Sequence, residues 1–228
     1  MTSPAAAGNI ADRIRQVKKE LPASVRLIAV TKKFPAAVVR MAYEAGIRDF
    51  GESQVQEAEQ KQAELADLAD ITWHLIGHLQ SNKARKAIAQ FQWIHSIDSL
   101  KLAQRLDQIA AELGRSPQCC LQVKLAPDPA KYGFTLPELM QALSALNQLR
   151  HLQMVGLMTI PPYGLPAAET QAIFDQLRQL QADINQQKHS QLQIKQLSMG
   201  MSGDYPLAIA AGATMIRLGT QLFGSRTL

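Results

Sequence analysis

The sequence is poor in cysteine and in aromatic residues, and it has no long apolar run. Its two cysteines, Cys119 and Cys120, are neighbours, so they offer neither a disulfide framework nor metal-ligand spacing. Aromatic residues make up 5% of the chain, which leaves few rings on which bases could stack. No signal-type apolar stretch opens the sequence, and no apolar run reaches the length of a membrane span. These absences predict a cytoplasmic protein that does not bind membranes.

The charge balance is positive but dispersed. The formal net charge is +5 and the pI is about 9.3. The basic residues are scattered along the chain with acidic residues nearby, and none of the usual nucleic-acid motifs is present. We therefore predict no nucleic-acid partner. A modest positive balance suits an anionic small ligand equally well.

Strand-like and helix-like segments alternate along the whole chain after an amphipathic helix at 10–21. The expected strands span residues 26–32, 48–52, 71–77, 93–98, 118–126, 152–159, 195–199 and 214–219. Several of them are apolar on both faces, as parallel strands covered by helices are. No linker or repeat divides the chain. The pattern predicts an α/β fold with one domain over residues 1–228, a single (β/α)8 TIM barrel with an extra N-terminal helix. A doubly wound open sheet is the alternative, but GxGxxG is missing after the first strand.

Two turns at the end of the expected barrel are rich in hydroxyl groups and glycine. The stretch LSMGMSGD follows strand seven, and Gly219-Thr220 follows strand eight. Barrels commonly bind phosphate at these two positions, where free N–H groups and a helix N-terminus favour negative charge. Ordinary helix capping by Ser202 or Asp204 is the alternative for either turn alone. The two turns together favour a phosphate site.

Two adjacent lysines, Lys32 and Lys33, end the first expected strand in the stretch AVTKKFP. Side chains alternate across a strand, so the two lysines point to opposite sides, and alternation alone does not choose between them. A lysine amine opposite a phosphate site suits pyridoxal 5′-phosphate (PLP), which forms a Schiff base with lysine. Solvated strand-end lysines are the alternative. Lys124, at the end of strand five, is a second amine expected near the mouth of the barrel.

The histidines do not form a metal site in this pattern. His74 and His78 have i,i+4 spacing but lie at a strand end rather than on a helix, which excludes the helical zinc motif. His95, His151 and His189 are interpreted as structural or solvated side chains. We therefore predict no metal site.

The chain resembles the pyridoxal phosphate homeostasis protein family over nearly its whole length. The resemblance is carried by the motifs AVTK, FGES, WHLIGHLQSNK, HSIDS, GLMTI, LSMGMSGD and RLGTQLFGSR. It implies a single barrel like the alanine racemase N-terminal domain, with PLP bound to Lys32. It also implies a ring-side role for Ser53 and phosphate contacts near Ser198, Ser202, Gly219 and Thr220. Arg217 is implied to face the pyridine nitrogen. Ser53 departs from the family pattern, in which asparagine is commoner at this position.

Two classes of function are compatible with this resemblance. One is a PLP-binding protein that buffers or delivers the cofactor in vitamin B6 and amino-acid homeostasis, without catalysis. The other is an amino-acid racemase or a related PLP-dependent enzyme. No second domain follows strand eight, and the residues suggest no second acid–base group, which favours the carrier. Amino acids and apo-enzymes that accept the cofactor are the implied further partners, and we expect a monomer.

Overall fold

A closed parallel barrel of eight strands forms the centre of the protein in a computed structural model that describes residues 4–187 and 189–224. The strands are β1 (Arg26–Val30), β2 (Asp49–Glu52), β3 (Thr72–Leu75), β4 (Trp93–Ile97), β5 (Gln118–Gln122), β6 (Gln153–Met158), β7 (Gln196–Ser198) and β8 (Met215–Leu218). Neighbouring strands pair in sequence order, and β8 pairs with β1 to close the barrel. The (β/α)8 prediction is therefore confirmed, and each expected strand is present but shorter.

Helices cover the outside of the barrel. In the described part of the chain they are α1 (Pro4–Glu20), α2 (Ala36–Glu44), α3 (Val55–Glu64), α4 (Ala84–Gln90), α5 (Leu100–Leu113), α6 (Leu136–Leu146), α7 (Ala167–Gln186), α8 (Tyr205–Ala210) and α9 (Thr220–Phe223), with a short 3₁₀ turn at Ser81–Lys83. The additional N-terminal helix is thus also confirmed. None of these described helices is both long and apolar enough to cross a bilayer.

Sequence signals explain where several helices begin and end. Ser99 accepts a hydrogen bond from the backbone N–H of Leu102 at the start of α5, and Gly114 ends that helix in the left-handed conformation. Thr135 and Glu138 form a reciprocal capping box at the start of α6. These local caps fix the helix ends and therefore the loops between them.

The core has two layers. The larger layer lies between strands and helices, where buried aliphatic and aromatic residues from both pack together. A second, smaller cluster consists of five buried residues from five strands: Ile28, Trp93, Cys120, Met158 and Met215. Side chains of a barrel strand alternate between the helix layer and the barrel interior. The second cluster is the apolar filling of the interior. Both cysteines are buried and free.

Candidate functional site

A cavity of about 420 Å³ lies at the C-terminal ends of the strands. Its volume falls in the range of small-molecule sites, roughly 300–1,000 Å³. Six of the seven residues predicted from the sequence line it, namely Lys32, Ser53, Ser202, Arg217, Gly219 and Thr220. The cavity is therefore where the barrel fold was expected to place its functional groups.

The floor of the cavity follows from the two-residue period of the strands. Residues two positions beyond the interior cluster line the cavity: Val30 follows Ile28, Gln122 follows Cys120, Ile160 follows Met158 and Arg217 follows Met215. In a strand, residues two apart share a face. Lys32 continues this series two residues beyond Val30, which explains why the cavity contains Lys32 and not Lys33.

The turn after β1 is held by buried polar contacts. The hydroxyl of Thr31 donates to Glu52 Oε1 over 2.6 Å, and Lys61 Nζ donates to the carbonyl of Thr31 over 2.7 Å. Lys61 also pairs with Glu52 at 2.7 Å. Burial raises the pKa of Glu52, while the charge of Lys61 and the hydrogen bonds from Lys61 and Thr31 act in the opposite direction. These contacts fix the backbone that carries Lys32.

Lys33 completes this turn in a left-handed conformation. Its φ is 65°, a value that is uncommon for residues other than glycine. The backbone N–H of Lys33 donates to Glu57, which also pairs with Lys61. The side chain of Lys33 is exposed. The left-handed turn therefore directs the two neighbouring lysines to different environments.

Arg217 is a buried cation in the cavity wall. It is 4% exposed, and its guanidinium donates to Ser198 Oγ over 2.6 Å and to the carbonyl of Thr159 over 3.0 Å. Burial lowers the pKa of Arg217 to about 10, so the side chain stays charged at neutral pH. Ser198 is fully buried and does not line the cavity. The structure thus places Ser198 behind Arg217, as its hydrogen-bond partner, and not beside the other turn residues.

The turns after β7 and β8 are joined to each other. Ser202 Oγ accepts a hydrogen bond from the backbone N–H of Gln221 over 3.2 Å. Gly200 has a φ of 93°, and a Cβ there would lie 2.7 Å from Cβ of Ala208, so the turn requires glycine. Ser202 and Thr220 therefore face the same cavity from adjacent turns.

The capping alternative can be examined at Asp204. Asp204 precedes α8 but makes no side-chain cap to that helix. Its Oδ1 instead accepts the backbone N–H of Met201 over 2.6 Å, which closes the turn that contains Ser202. Asp204 therefore shapes the turn, and the hydroxyl of Ser202 lies at the cavity.

Ser53 lines the cavity at the end of β2, against Gly77. A Cβ at position 77 would lie 2.3 Å from the carbonyl oxygen of Ser53, so the two backbones can approach only because residue 77 is glycine. Lys124, the second amine noted in the sequence, lies outside this cavity and lines a separate groove with Asp98 and Thr135.

Several cavity residues lie on loops and were not identified from the sequence. His78 stacks on Tyr132 with ring centroids 3.5 Å apart, and its Nδ1 lies 2.8 Å from Asp98 Oδ2. Lys131 donates to the carbonyl of Ile160 over 3.3 Å. His78, Lys131 and Tyr132 all line the cavity. These loops therefore add three polar side chains to the cavity besides Lys32.

Comparison with known proteins gives consistent matches over most of the chain. The family model described as alanine racemase, N-terminal domain, matches residues 6–227. A pyridoxal phosphate homeostasis protein of Synechocystis sp. is 56% identical over 206 residues, covering 90% of this chain and 94% of the relative. Another of Pseudomonas aeruginosa is 46% identical over 221 residues, covering 95% and 93%.

Solved structures agree with these matches. PipY of Synechococcus elongatus PCC7942, solved with PLP bound, is 60% identical with a TM-score of 0.91, covering 94% of this chain and 100% of PipY. An alanine racemase of Clostridium difficile 630 is 17% identical with a TM-score of 0.74, covering 97% of this chain and 60% of the racemase. The second similarity shows a shared fold alone.

Proposed function

Because this chain belongs to the alanine racemase N-terminal domain family, and within it to the pyridoxal phosphate homeostasis proteins, we propose that its cavity binds PLP with Lys32 as the covalent attachment point. The protein then buffers or delivers the cofactor in vitamin B6 and amino-acid homeostasis. The observation that carries this proposal is the meeting of Lys32, Arg217 and the two hydroxyl-bearing turns in one cavity.

The residues present match the chemical groups of PLP. Its aldehyde forms a Schiff base with a lysine amine, and the ring acts as an electron sink. Lys32 supplies the amine. Arg217 has five N–H donors, and its contacts to Ser198 and Thr159 leave further donors for an acceptor such as a ring nitrogen. A desolvated cation in a cavity wall also favours an anionic ligand.

The phosphate fits the two joined turns. Ser202 accepts the backbone N–H of Gln221, which orients its oxygen and leaves its own O–H to donate to a ligand. Gly203 has open space where a Cβ would lie, so a ligand oxygen can approach its backbone. Thr220 is exposed at the rim beside Gly219. These groups supply neutral donors at the position where barrels commonly bind phosphate.

Arg217 favours a carrier over an enzyme. PLP enzymes that stabilise carbanions often place a carboxylate at the pyridine nitrogen, which keeps that nitrogen protonated. Arg217 is a cation and donates a hydrogen bond instead, so the ring nitrogen stays unprotonated and the ring is a weaker sink. In the described part of the chain, no salt bridge joins Arg217 to a carboxylate that could replace it. We therefore propose binding without useful turnover.

The proposed partners follow from this role. Amino acids and apo-enzymes that accept PLP are the molecules to which the cofactor is passed. We further propose a cytoplasmic monomer. In the described residues the exposed large hydrophobic side chains are Tyr132, Met140 and Tyr163, which lie on separate elements and do not form the extended apolar patch typical of stable interfaces. Sedimentation equilibrium tests the monomer.

A spectroscopic transfer assay tests the proposed function. Wild type incubated with PLP and freed of excess ligand should retain a Schiff-base absorbance band, and Lys32→Ala should lose it. Lys33→Ala is the matched control, because it removes the adjacent, exposed amine. The loaded protein should then restore activity to an apo-aminotransferase. A wild type without the band, or a Lys32→Ala variant that keeps it, would contradict the proposal.

A further inference from the structure

The barrel interior contains a chain of hydrogen-bonded polar side chains, of which the proposed function uses only Arg217 and its partner Ser198. It runs from the cavity wall to the opposite end of the barrel and consists of Arg217, Ser198, His95, His74 and Asp49, here called the interior polar chain. Ser198 Oγ lies 2.6 Å from Arg217 and 2.8 Å from His95 Nδ1. His95 Nε2 lies 2.9 Å from His74 Nδ1, and His74 Nε2 lies 2.9 Å from Asp49 Oδ1.

The two ends of the interior polar chain lie at opposite mouths of the barrel. Arg217 lines the cavity near the C-terminal end of β8, whereas Asp49 is the first residue of β2. Asp49 is 23% exposed and faces Arg26 NH1 at 3.6 Å, while both histidines are fully buried. The chain therefore connects a partly exposed carboxylate to a buried guanidinium through the middle of the protein.

Burial favours the neutral form of both histidines in this chain. Burial lowers the pKa of His74 and lowers the pKa of His95 further below its usual range, and the charge of Arg217 acts on His95 in the same direction. A neutral imidazole has one donor nitrogen and one acceptor nitrogen, so each ring must choose a tautomer. The neighbouring groups make that choice.

The carboxylate of Asp49, which only accepts, and the guanidinium of Arg217, which only donates, set the direction of the bonds from the two ends of the chain. Asp49 only accepts, so His74 donates from Nε2 and its Nδ1 must accept. His95 then donates from Nε2, and its Nδ1 accepts the O–H of Ser198. The lone pairs of Ser198 are thereby directed to Arg217, which only donates. Each donor in the chain has an acceptor, and the direction is the same from Arg217 to Asp49.

Without an acceptor at position 49 the reverse tautomers become possible. His95 would then donate from Nδ1 to Ser198, whose oxygen would receive two donors while its own buried O–H would need another acceptor. A buried donor without a partner costs about 1–3 kcal/mol. The acceptor at position 49 therefore removes the competing arrangement.

We propose that Asp49 is a positioning residue for Arg217, acting through His74, His95 and Ser198 to keep the guanidinium aimed at the ring nitrogen of bound PLP. This proposal rests on the proposed function, since it concerns the same ligand. A barrel interior is ordinarily filled by bulky aliphatic side chains, and a buried polar network is tolerated only when all its members are satisfied. Apolar side chains would be enough to fill the barrel interior, so a role in positioning Arg217 at the cavity explains why the interior polar chain is there instead.

The first test needs no ligand. In ¹⁵N-histidine-labelled protein without PLP, the imidazole resonances of His74 and His95 should both report the Nε2–H tautomer. Asp49→Ala should give mixed or reversed tautomers, and Asp49→Asn, which keeps an acceptor oxygen, should restore the wild-type pattern. Asp67→Ala is the control, because Asp67 also pairs with an arginine, Arg40, but lies on the surface. An Nδ1–H tautomer of His95 in wild type would overturn the proposal.

The second test uses PLP labelled with ¹⁵N at the ring nitrogen. Asp49→Ala should shift the ring-nitrogen resonance and weaken PLP binding roughly two- to thirtyfold, the range of coupling through a side-chain network. Asp49→Asn should lie close to wild type. Unchanged resonance and affinity in Asp49→Ala would overturn the positioning role. Absence of PLP binding by wild type would instead overturn the proposed function. The tautomers of His74 and His95 are measured without PLP, so they test the interior polar chain whether or not PLP binds.

Discussion

The buried histidine pair should make the stability of the protein fall as the pH is lowered. Burial lowers the pKa of His74 and of His95 in the folded state, whereas both titrate near 6.5 in the unfolded chain. Below about pH 6.5 the unfolded chain therefore binds protons that the folded protein does not. The stability contributed by the two neutral histidines is therefore fully present above the pKa of the unfolded chain, and it is lost as the pH falls toward the pKa values of the folded state.

The size of this effect follows from the two lowered pKa values. Each pH unit in the window costs up to about 1.4 kcal/mol for each histidine. Between about pH 7.5 and pH 5.5 the pair should therefore reduce the free energy of unfolding by up to about 2.7 kcal/mol. Exposed carboxylates whose pKa values are lowered, such as Asp67 and Glu138, act at lower pH. Glu52, whose pKa burial raises, acts in the opposite direction as the pH falls, so the difference between wild type and a histidine variant isolates the histidine contribution.

Urea denaturation followed by circular dichroism over this pH range measures how steeply the free energy of unfolding changes with pH, here called the slope. His95→Gln should lose about half of it, because one of the two titrating groups is removed. Ser96→Ala is a matched control on the same strand: Ser96 is buried, and its hydroxyl has no hydrogen-bond partner among the described residues. It should keep the full slope. A wild type whose stability is constant from pH 7.5 to 5.5, or a His95→Gln variant with the wild-type slope, would refute the reasoning.

Three further predictions concern the cavity. In a fluorescence titration, Ser202→Ala and Thr220→Val should each weaken PLP binding roughly ten- to a hundredfold, the effect of losing one charge-assisted hydrogen bond. Ser99→Ala, at the cap of α5, is the control and should leave PLP binding unchanged. Gly77→Ala should lower the free energy of unfolding by about 1–3 kcal/mol in urea denaturation, because its Cβ would overlap the backbone of Ser53. Unaltered stability would contradict this prediction and show that the backbone at Ser53 moves to accommodate the added Cβ. Loaded protein in deuterated water should not exchange the Cα proton of L- or D-amino acids at useful rates by proton NMR, and rapid exchange would favour an enzyme that uses His78, Lys131 or Tyr132.

The barrel could be predicted because its signals are local and repeated. Apolar strand segments alternate with amphipathic helices, and each of the eight expected strands is present. The strand ends were less predictable. The segment 118–126 was expected to be one strand, but β5 ends at Gln122, where the chain turns so that the N–H of Lys124 bonds to the carbonyl of Phe134. Tertiary pairing therefore decided where that strand ends.

The candidate site was predictable where its residues lie on strands or in the adjoining turns. Lys32, Arg217 and Ser202 each follow a recognisable strand, and barrel topology brings such ends together. Ser198 is also at a strand end, but its side chain faces the interior rather than the cavity. His78 and Tyr132 lie on loops without periodicity, and their stacking is visible only in three dimensions.

The interior polar chain shows a second limit of sequence reasoning. His95 was interpreted as structural or solvated, and it is indeed fully buried. Its partner Ser198 is 103 residues away in the chain, so no local pattern links them. A lone histidine in an apolar strand could have suggested a buried hydrogen bond, but not the identity of its partner.

The central claim is that the cavity holds PLP on Lys32, and borohydride reduction followed by peptide mapping tests it most directly. Reduction converts a Schiff base into a stable secondary amine, which mass spectrometry locates in the digested protein. The account predicts one pyridoxyl adduct, on Lys32, at one equivalent per chain and absent from Lys32→Ala. An adduct on Lys33, Lys124 or Lys131 with Lys32 unmodified would contradict it.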